Sequence, residues 1–225
     1  MVLEHRDGAW LVAHPLARET LTRLRDRQTD RAGFRQDLVR LGRICAHDLI
    51  DDRFDTEAVP VETPLTEATG VRVAGLADTV VVTVLRAAVP FVQGLLDAMP
   101  MARQAVVSAS RDETAERDDA GRFPVALEYV RLPRIAPTDP VVVADPMLAT
   151  GSTMVAVIEE VLEAGADPSM VVALAAVAAP AGIERVTARF PAVDVVTVAV
   201  DDHLDDDGYI VPGLGDAGDR AFGTR

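Results

Sequence analysis

The sequence contains no lysine, because all 22 of its basic residues are arginines. A chain without lysine cannot form a Schiff base with a carbonyl substrate or with pyridoxal phosphate, and it cannot supply the lysine of a nucleoside-triphosphate-binding loop. Cysteine is scarce as well: Cys45 stands alone, which excludes an internal disulfide bond. The four histidines are scattered along the chain, so a structural zinc site is not expected.

Long hydrophobic runs are also missing. The most apolar stretch, Met170 to Pro180, is shorter than the roughly 18 residues that a membrane-spanning helix needs. The first residues include His5, Arg6 and Asp7, where a secretion signal would carry its apolar segment. We therefore expect a cytoplasmic protein with no membrane partner.

Negative charge dominates the chain. Acidic residues number 36 and basic residues 22, which gives a formal net charge of -14. Nucleic acid is not expected as a partner, because phosphate backbones attract basic surfaces. Two explanations of the composition stay open. One is a halophilic protein in a cytoplasm of high salt, where screening weakens the repulsion between acids. The other is a GC-rich genome that replaces lysine by arginine. We favour the first.

The pattern of apolar residues predicts an α/β fold. The chain has 225 residues, of which 49% are apolar, enough for one domain with a sizeable core. Residues 1–57 are expected to be helical, and residues 58–78 to form a loop with short strands. The strands predicted after these are 79–85, 104–110, 125–132, 141–144, 170–179 and 193–200. The helices predicted between those strands are 89–100, 153–164 and 181–190.

Strands that alternate with helices indicate a twisted parallel sheet flanked by helices. Residues 112–124 are charged and predict an exposed flexible loop. The last segment, 201–225, is rich in glycine and aspartate with a few apolar residues. It predicts either a structured lobe or a solvated tail.

The most informative pattern for function is VVVADPMLATGSTM at 141–154. A buried strand runs into Asp145, then into a loop that precedes a helix. Ligands of open α/β sheets bind at the carboxyl ends of strands, and the free N–H groups of a helix start attract phosphate. The loop adds hydroxyl donors and a glycine that permits close approach, namely Thr150, Gly151, Ser152 and Thr153. This suits a phosphate monoester, with Asp145 accepting bonds from ribose hydroxyls. An ordinary strand-to-helix turn is the alternative.

The C-terminal segment GYIVPGLGDAGDRAFGT, residues 208–224, contains a GxGxxG string that ends at Gly218. A dinucleotide site needs a strand before this string and a long helix after it. Only seven residues follow Gly218, so we reject that interpretation.

Two arginines follow predicted strands. Arg86 comes after a buried strand, where an anion is an attractive partner for its charge. A salt bridge to a nearby acid is the alternative. Arg111, in SASRDE at 108–113, is a weaker candidate because exposed arginines are common.

Taken together, and in their order along the chain, these segments resemble those of the type I phosphoribosyltransferases. Within that family they are most similar to the uracil phosphoribosyltransferases. DPMLATG at 145–151 resembles the family's motif for 5-phospho-α-D-ribose 1-diphosphate (PRPP). The segment 208–224 resembles its uracil-binding loop, and VTVLRAAVP at 82–90 resembles its diphosphate-binding loop. FRQDLVRLGR at 34–43 and VETPL at 61–65 add to the resemblance, which is greatest to archaeal members.

The resemblance implies a single phosphoribosyltransferase domain over residues 1–225, a twisted parallel sheet flanked by helices with a hood. Its parts would be a helical N-terminal part at 1–57, an α/β core at 79–200, and a hood with the uracil-binding loop at 201–225.

The resemblance also implies roles for individual residues. Asp216 and Arg86 would be catalytic. The residues expected to bind PRPP are Arg86, Arg111, Asp145, Pro146, Met147, Leu148, Ala149, Thr150, Gly151, Ser152, Thr153 and Asp216. The residues expected to bind uracil, largely through backbone groups, are Ile210, Gly215, Asp216 and Ala217. The residues expected to bind GTP as an activator are Gln36, Asp37, Leu38, Val39 and Arg40. A solvated helix face bearing Arg35, Arg40 and Arg43 is the alternative there.

The implied reaction joins uracil to PRPP and gives UMP and diphosphate, as in pyrimidine salvage. Mg²⁺ would be carried by the diphosphate, with no direct protein ligand, and the protein would be a homo-oligomer, a dimer or a tetramer. Ser152 departs from the second glycine of many relatives, and Asp145 follows Ala144 where the wider superfamily often has a second acid. Two alternatives stay open: a phosphoribosyltransferase for another base, and a PRPP- or nucleotide-sensing regulator without turnover.

If the acid excess is an adaptation to salt, the unfolding midpoint should rise between about 0.1 M and about 2 M KCl, because screening weakens repulsion among the acids. Thermal unfolding followed by circular dichroism measures this midpoint. A midpoint that does not change over this range would favour the GC-rich genome as the explanation.

Overall fold

The structure, a computed structural model, describes residues 3–111 and 125–224. The strands are β1 (Leu3–Arg6), β2 (Ala9–Val12), β3 (Thr56–Glu62), β4 (Glu67–Val73), β5 (Val80–Leu85), β6 (Arg103–Arg111), β7 (Val125–Arg131), β8 (Val141–Ala144), β9 (Met147–Leu148), β10 (Val171–Ala178), β11 (Asp194–Val200), β12 (His203–Leu204) and β13 (Ile210–Val211). The helices are α1 (Pro15–Arg25), α2 (Arg31–Arg53), α3 (Ala88–Ala98), α4 (Ser152–Glu163), α5 (Pro180–Arg189) and α6 (Ala217–Phe222). Short 3-10 turns lie at Leu76–Asp78 and Pro168–Met170. The predicted loop 112–124 lies outside the described residues.

The central sheet has the strand order β1-β2-β11-β10-β8-β5-β6-β7, and β9 pairs with β10. The six strands from β2 to β6 in this order are parallel, while β1 and β7 pair antiparallel at the two edges. The predicted parallel sheet flanked by helices is therefore confirmed. No helix among the described residues is both long enough and apolar enough to cross a membrane.

The inner strands are apolar throughout because both faces of the sheet are covered. Alternate residues of one strand point to opposite faces. Val81 joins the core formed with α1, α2 and α3, whereas Val80 and Val82 join the core formed with α4 and α5. Each run of valines and alanines therefore contributes to two separate cores.

The expectation of helix throughout residues 1–57 is wrong for the first part of the chain. Residues 3–12 form a β-hairpin, and β2 joins the sheet beside β11, with Trp10 opposite Val196. Asp7 and Gly8 form its turn at positive φ, the conformation that favours an Asp-Gly pair in a tight hairpin. The indole N–H of Trp10 donates to Asp194, which fixes the hairpin to its remote neighbour.

Residues 56–73, called the arm here, form a β-hairpin of β3 and β4. The region was predicted to be a loop with short strands; strands are present, but each has seven residues and the two form a regular hairpin. The arm is closed at its base by a hydrogen bond from the Ala74 N–H to the Asp55 carbonyl, at 2.9 Å. Two apolar side chains on it are strongly exposed, Leu65 at 95% and Val71 at 73%.

Residues 201–224, called the hood here, form a structured lobe rather than a solvated tail. The short strands β12 and β13 pair with each other, and α6 follows them. Leu214, Ala217 and Ala221 of the hood are buried in the same core as α2.

Helices α2 and α3 cross at glycines. A Cβ atom added at Gly42 would lie 2.0 Å from the Phe91 carbonyl oxygen, and one added at Gly94 would lie 1.9 Å from the Val39 carbonyl oxygen. The two backbones therefore touch, and neither glycine leaves room for a methyl group.

Substitution Gly94→Ala should lower the free energy of unfolding by about 2 to 3 kcal/mol, because the helices must move apart. This effect exceeds the roughly 1 kcal/mol by which alanine favours a helix over glycine. Urea denaturation measures the difference. The exposed neighbour provides the control, since Gln93→Ala should change stability by no more than about 0.5 kcal/mol. Equal stability of Gly94→Ala and the wild type would contradict the crossing geometry.

Candidate active site

A cavity of about 600 Å³ opens at the carboxyl edge of the sheet. Part of its lining is the segment 145–153, called the phosphate loop here, which runs from the end of β8 through β9 into the first turn of α4. The rest of the lining includes hood residues 206–210 and 214–216, Val177 of β10 and Val125 of β7. The position agrees with the rule that α/β sheets bind ligands beyond the carboxyl ends of their strands.

The phosphate loop packs backbone to backbone against the start of α5. A Cβ atom added at Gly182 would lie 2.5 Å from the Ala149 carbonyl oxygen, and one added at Gly151 would lie 2.9 Å from the Gly182 carbonyl oxygen. Gly151 also has a φ of +78°, which a residue with a side chain adopts only with strain. These two glycines fix the loop at the beginning of α4.

Hydroxyl groups of the phosphate loop bond to one another. The Thr150 hydroxyl donates to Ser152 Oγ at 3.3 Å, and the Ser152 N–H donates to Thr150 Oγ1 at 3.4 Å. The guanidinium of Arg185, on α5, also donates to Ser152 Oγ. Thr150, Ser152 and Thr153 all line the cavity.

Asp145 lies at the end of β8, where the sheet gives way to the cavity. Its backbone N–H donates to the Leu174 carbonyl at 3.0 Å, and its Oδ1 accepts from the Met147 N–H at 3.1 Å. Burial raises the pKa of the Asp145 carboxyl to about 6, and the hydrogen bond from Met147 opposes this rise. The carboxylate is thus held by the backbone at the floor of the cavity.

A partly buried ion pair attaches the hood to α1. Arg25, the last residue of α1, donates to both carboxylate oxygens of Asp201, at 2.6 and 2.7 Å. The same two side chains bind the turn at Gly213: its N–H donates to Asp201 at 2.8 Å, and its carbonyl accepts from Arg25 at 2.9 Å. We call this arrangement the hood clamp.

Arg220 makes a second attachment of the hood. Its guanidinium donates to the carbonyls of Leu24, Leu214 and Asp26, and it stacks over the Phe34 ring at 4.2 Å. Burial lowers the pKa of Arg220. An arginine is well suited to this position because its planar group offers five donors in fixed directions.

Asp216 lies at the rim of the cavity and begins α6. Its Oδ1 accepts from the Asp219 N–H at 2.8 Å as a helix N-cap. Ile210, Gly215 and Asp216 line the cavity, whereas Ala217 is buried in the core behind them.

Arg86 lies at the carboxyl end of β5, beside α6 and outside the cavity lining. It is exposed, donates to the Thr224 hydroxyl at 3.4 Å, and lies 5.8 Å from the centre of the Phe222 ring. No carboxylate within the described ranges lies at ion-pair distance from it, so the salt bridge offered as an alternative is not observed there. Arg111 is the last residue of β6, the neighbour of β5.

The chain matches a known protein family over most of its length. The sequence model of the family described as uracil phosphoribosyltransferase matches residues 11–224. The chain belongs to the uracil phosphoribosyltransferase family. The resemblance seen in the sequence is confirmed by this match.

Individual relatives agree with the family match. The uracil phosphoribosyltransferase of Natronomonas pharaonis is 57% identical over 224 residues, which cover 100% of both chains. Among solved structures, the AQ2163 protein from Aquifex aeolicus is 31% identical, covers 95% of this chain and 97% of its own, and superposes with a TM-score of 0.84. An adenine phosphoribosyl transferase from Trypanosoma brucei, 15% identical with a TM-score of 0.52 over 92% of this chain and 90% of its own, shares the fold.

Within this uracil phosphoribosyltransferase family member, most of the sequence-predicted site residues meet in the cavity. The predicted residues that line it are Asp145, Met147, Leu148, Ala149, Thr150, Gly151, Ser152, Thr153, Ile210, Gly215 and Asp216. Pro146 does not line it; its side chain is buried, and its carbonyl accepts from the N–H groups of Ala176 and Val177. The side chain of Arg111 lies outside what the structure describes.

The stretch predicted to bind GTP lies on α2, away from the cavity. Gln36 and Arg40 are exposed, but Leu38 is fully buried in the core. Asp37 is 8% exposed and holds the guanidinium of Arg23 through both of its oxygens, at 2.7 to 3.1 Å. The side chains of Asp37 and Leu38 are therefore occupied by the fold itself.

The residues that hold the hood of this uracil phosphoribosyltransferase family member in place were not predicted from the sequence. Asp201 directly follows a predicted parallel strand, which is the same signal that identified Asp145. Arg25 and Arg220 carry no such signal, because they are two arginines among 22. Tyr209 also lines the cavity and was not predicted.

Asp145 should make the stability of the folded protein depend on pH. Its pKa of about 6 when folded exceeds its ordinary value, so the folded state binds more protons than the unfolded state, and stability falls as pH rises through about 6. Asp145→Asn removes this titration. The free energy of unfolding of the variant minus that of the wild type should be roughly 1 kcal/mol larger at pH 8 than at pH 5. Urea denaturation at the two pH values measures this difference. A difference that stays constant over this range would show that the carboxyl is ionised at both pH values.

Proposed function

We propose that this protein catalyses the formation of UMP and diphosphate from uracil and PRPP, a reaction of pyrimidine salvage. The observation that carries the proposal is the cavity itself, which is lined by the phosphate loop and by residues of the hood segment 208–216. The phosphate loop suits a ribose phosphate, and the hood segment matches the family's base-binding segment. A cytoplasmic location is part of the proposal.

The phosphate loop would hold the 5′-phosphate without a cationic side chain of its own. The N–H groups at the start of α4 and the hydroxyls of Thr150, Ser152 and Thr153 supply the donors. Asp145, on the floor of the cavity, would accept hydrogen bonds from the ribose hydroxyls. Gly151 allows the backbone to approach the phosphate closely.

The hood would recognise the base through backbone groups. Uracil presents a carbonyl, an N–H and a second carbonyl along one edge, and backbone N–H and C=O groups near Ile210, Gly215 and Ala217 can match this order. A base with a donor where uracil has an acceptor would leave buried groups unpaired, which is a strong basis for rejection. The hood clamp and Arg220 keep these backbone groups in position.

The chemistry needs no protein nucleophile. The bond between C1′ and the diphosphate oxygen breaks and C1′ develops oxocarbenium character. N1 of uracil forms the new bond and releases its proton to the solvent, while the diphosphate leaves with the electron pair. Catalysis then depends on positioning and on stabilising the departing charge. Arg86 and Arg111, at the ends of adjacent strands, would stabilise the negative charge of the diphosphate. Asp216, which lines the cavity, would contact PRPP.

Mg²⁺ would enter as part of the substrate, bound to the diphosphate oxygens. Among the cavity-lining residues that the structure describes, the charged ones are all aspartates, Asp145, Asp206, Asp207 and Asp216. Four acids repel a free diphosphate, so a cation on the substrate is needed for entry. The described residues contain no cluster of three or more His, Cys, Asp or Glu side chains that could hold a metal ion.

We also propose GTP as an activator, acting on the exposed Gln36 and Arg40 of α2. The neighbouring Arg35 donates to the Ala221 carbonyl of α6 at 2.9 Å. Helix α2, which carries Gln36 and Arg40, is therefore in contact with the helix that Asp216 begins.

A homo-oligomer, dimer or tetramer, is part of the same proposal. The exposed apolar side chains of the arm, Leu65 and Val71, offer a surface that a second copy of the chain would cover. Light scattering at the salt concentration of the assay measures the mass and decides this point.

The test is formation of product from labelled uracil and PRPP, with Mg²⁺ in ~2 M KCl, with and without GTP. Adenine, hypoxanthine, xanthine and orotate replace uracil in parallel reactions. The expected result is that uracil gives UMP and that none of the other four bases gives a nucleotide. Product from another base would assign a different substrate, and PRPP binding by calorimetry without product from any base would indicate a sensor.

Asp216→Asn provides the sharpest variant for this reaction. Asparagine also caps helices, so the fold and the start of α6 should be kept while the charge at the rim is lost. Turnover should fall by more than about tenfold, and the unfolding midpoint should stay close to that of the wild type. Activity within about threefold of the wild type would rule out the assigned role.

A further inference from the structure

Among the residues that the structure describes, Arg185 is the arginine that donates a hydrogen bond to a side chain of the phosphate loop. No motif in the sequence indicated this role. It lies on α5, one turn after Gly182, whose backbone touches the carbonyls of Leu148 and Ala149. Its guanidinium is half-buried and donates to Ser152 Oγ. The loop and this cation are therefore fixed to the same short helix.

The hydrogen bonds of Ser152 define what its hydroxyl can do. A serine hydroxyl has two acceptor lone pairs and one hydrogen to donate. Ser152 Oγ accepts from Arg185 and from the Thr150 hydroxyl at 3.3 Å, so both lone pairs are taken. Within the described part of the chain, its own hydrogen has no acceptor, and Ser152 lines the cavity. The hydroxyl is therefore left as a donor toward a ligand.

We propose that Arg185 is a positioning residue for the phosphate monoester: by donating to Ser152, it turns the serine hydroxyl into a donor aimed at the phosphate. Given the proposed function, that phosphate is the 5′-phosphate of PRPP. The positive charge of Arg185 polarises the hydroxyl and makes it a stronger donor. In a chain without lysine, this gives the loop a cation that acts through a neutral side chain.

The test is a double-mutant cycle on Arg185 and Ser152. Arg185→Met should raise the KM for PRPP about tenfold, the size of one hydrogen bond to a charged group, while the KM for uracil changes by less than about twofold. In a Ser152→Ala background, the same change should raise the KM for PRPP by less than about twofold, because the residue acts through the hydroxyl.

Arg189→Met is the matched control. Arg189 is on the same helix, faces solvent and pairs with Glu159, so both KM values should stay at the wild-type level. The unfolding midpoint of each variant checks the fold. If Arg185→Met does not fold, Arg185→Lys replaces it, with an expected rise of about threefold in the KM for PRPP because lysine lacks the planar fork.

An unchanged KM for PRPP in Arg185→Met would overturn the proposal. An equal rise with and without Ser152 would also overturn it, because Arg185 would then act independently of that hydroxyl. Calorimetry with ribose 5-phosphate separates this proposal from the proposed function, because this probe carries the phosphate but cannot react. A wild type that forms no UMP, yet binds ribose 5-phosphate about tenfold more tightly than Arg185→Met, would refute the reaction and retain the role of Arg185.

Discussion

Six parallel strands run in one direction, and this direction brings the polar residues that follow them to the same edge of the sheet. Arg86 follows β5, Asp145 follows β8 and Asp201 follows β11, although these residues are far apart in the sequence. The strands are buried on both faces, so a shift of register by one residue would move each side chain from one core into the other, where it does not fit. The inner strands contribute mainly apolar side chains to the cores. The polar groups lie on the segments that follow these strands, which hold them in position.

The hood is irregular, and arginine is what attaches it. Arg25 binds Asp201 and the Gly213 carbonyl, while Arg220 gathers three carbonyls that no helix or strand would satisfy. A lysine ammonium is a point donor and could not span these groups in one plane. Arg185 extends the same use to the phosphate loop. The absence of lysine excludes lysine chemistry. In this structure arginine side chains join the irregular backbone of the hood to the core.

Much of the fold was predictable because its signals are local. Valine-rich runs marked the inner strands, and the phosphate loop follows one of them with hydroxyls at a helix start. The hairpin at 3–12 was missed because β2 finds its partner, β11, at the other end of the chain. The hood clamp joins residues 176 apart, which no local pattern records. The resemblance to the family predicted a GTP site at residues 36–40, which include Asp37 and Leu38. The helical period of α2 turns both of these side chains inward.

The arm has a consequence for how this architecture can diverge. Its two ends, Asp55 and Ala74, are held together by a backbone hydrogen bond at its base. Residues inserted or deleted beyond that bond change the reach of the hairpin without moving α2 or β5, since loop closure depends only weakly on length. The length and surface of the arm can therefore change while the strands and loops that form the cavity keep their positions.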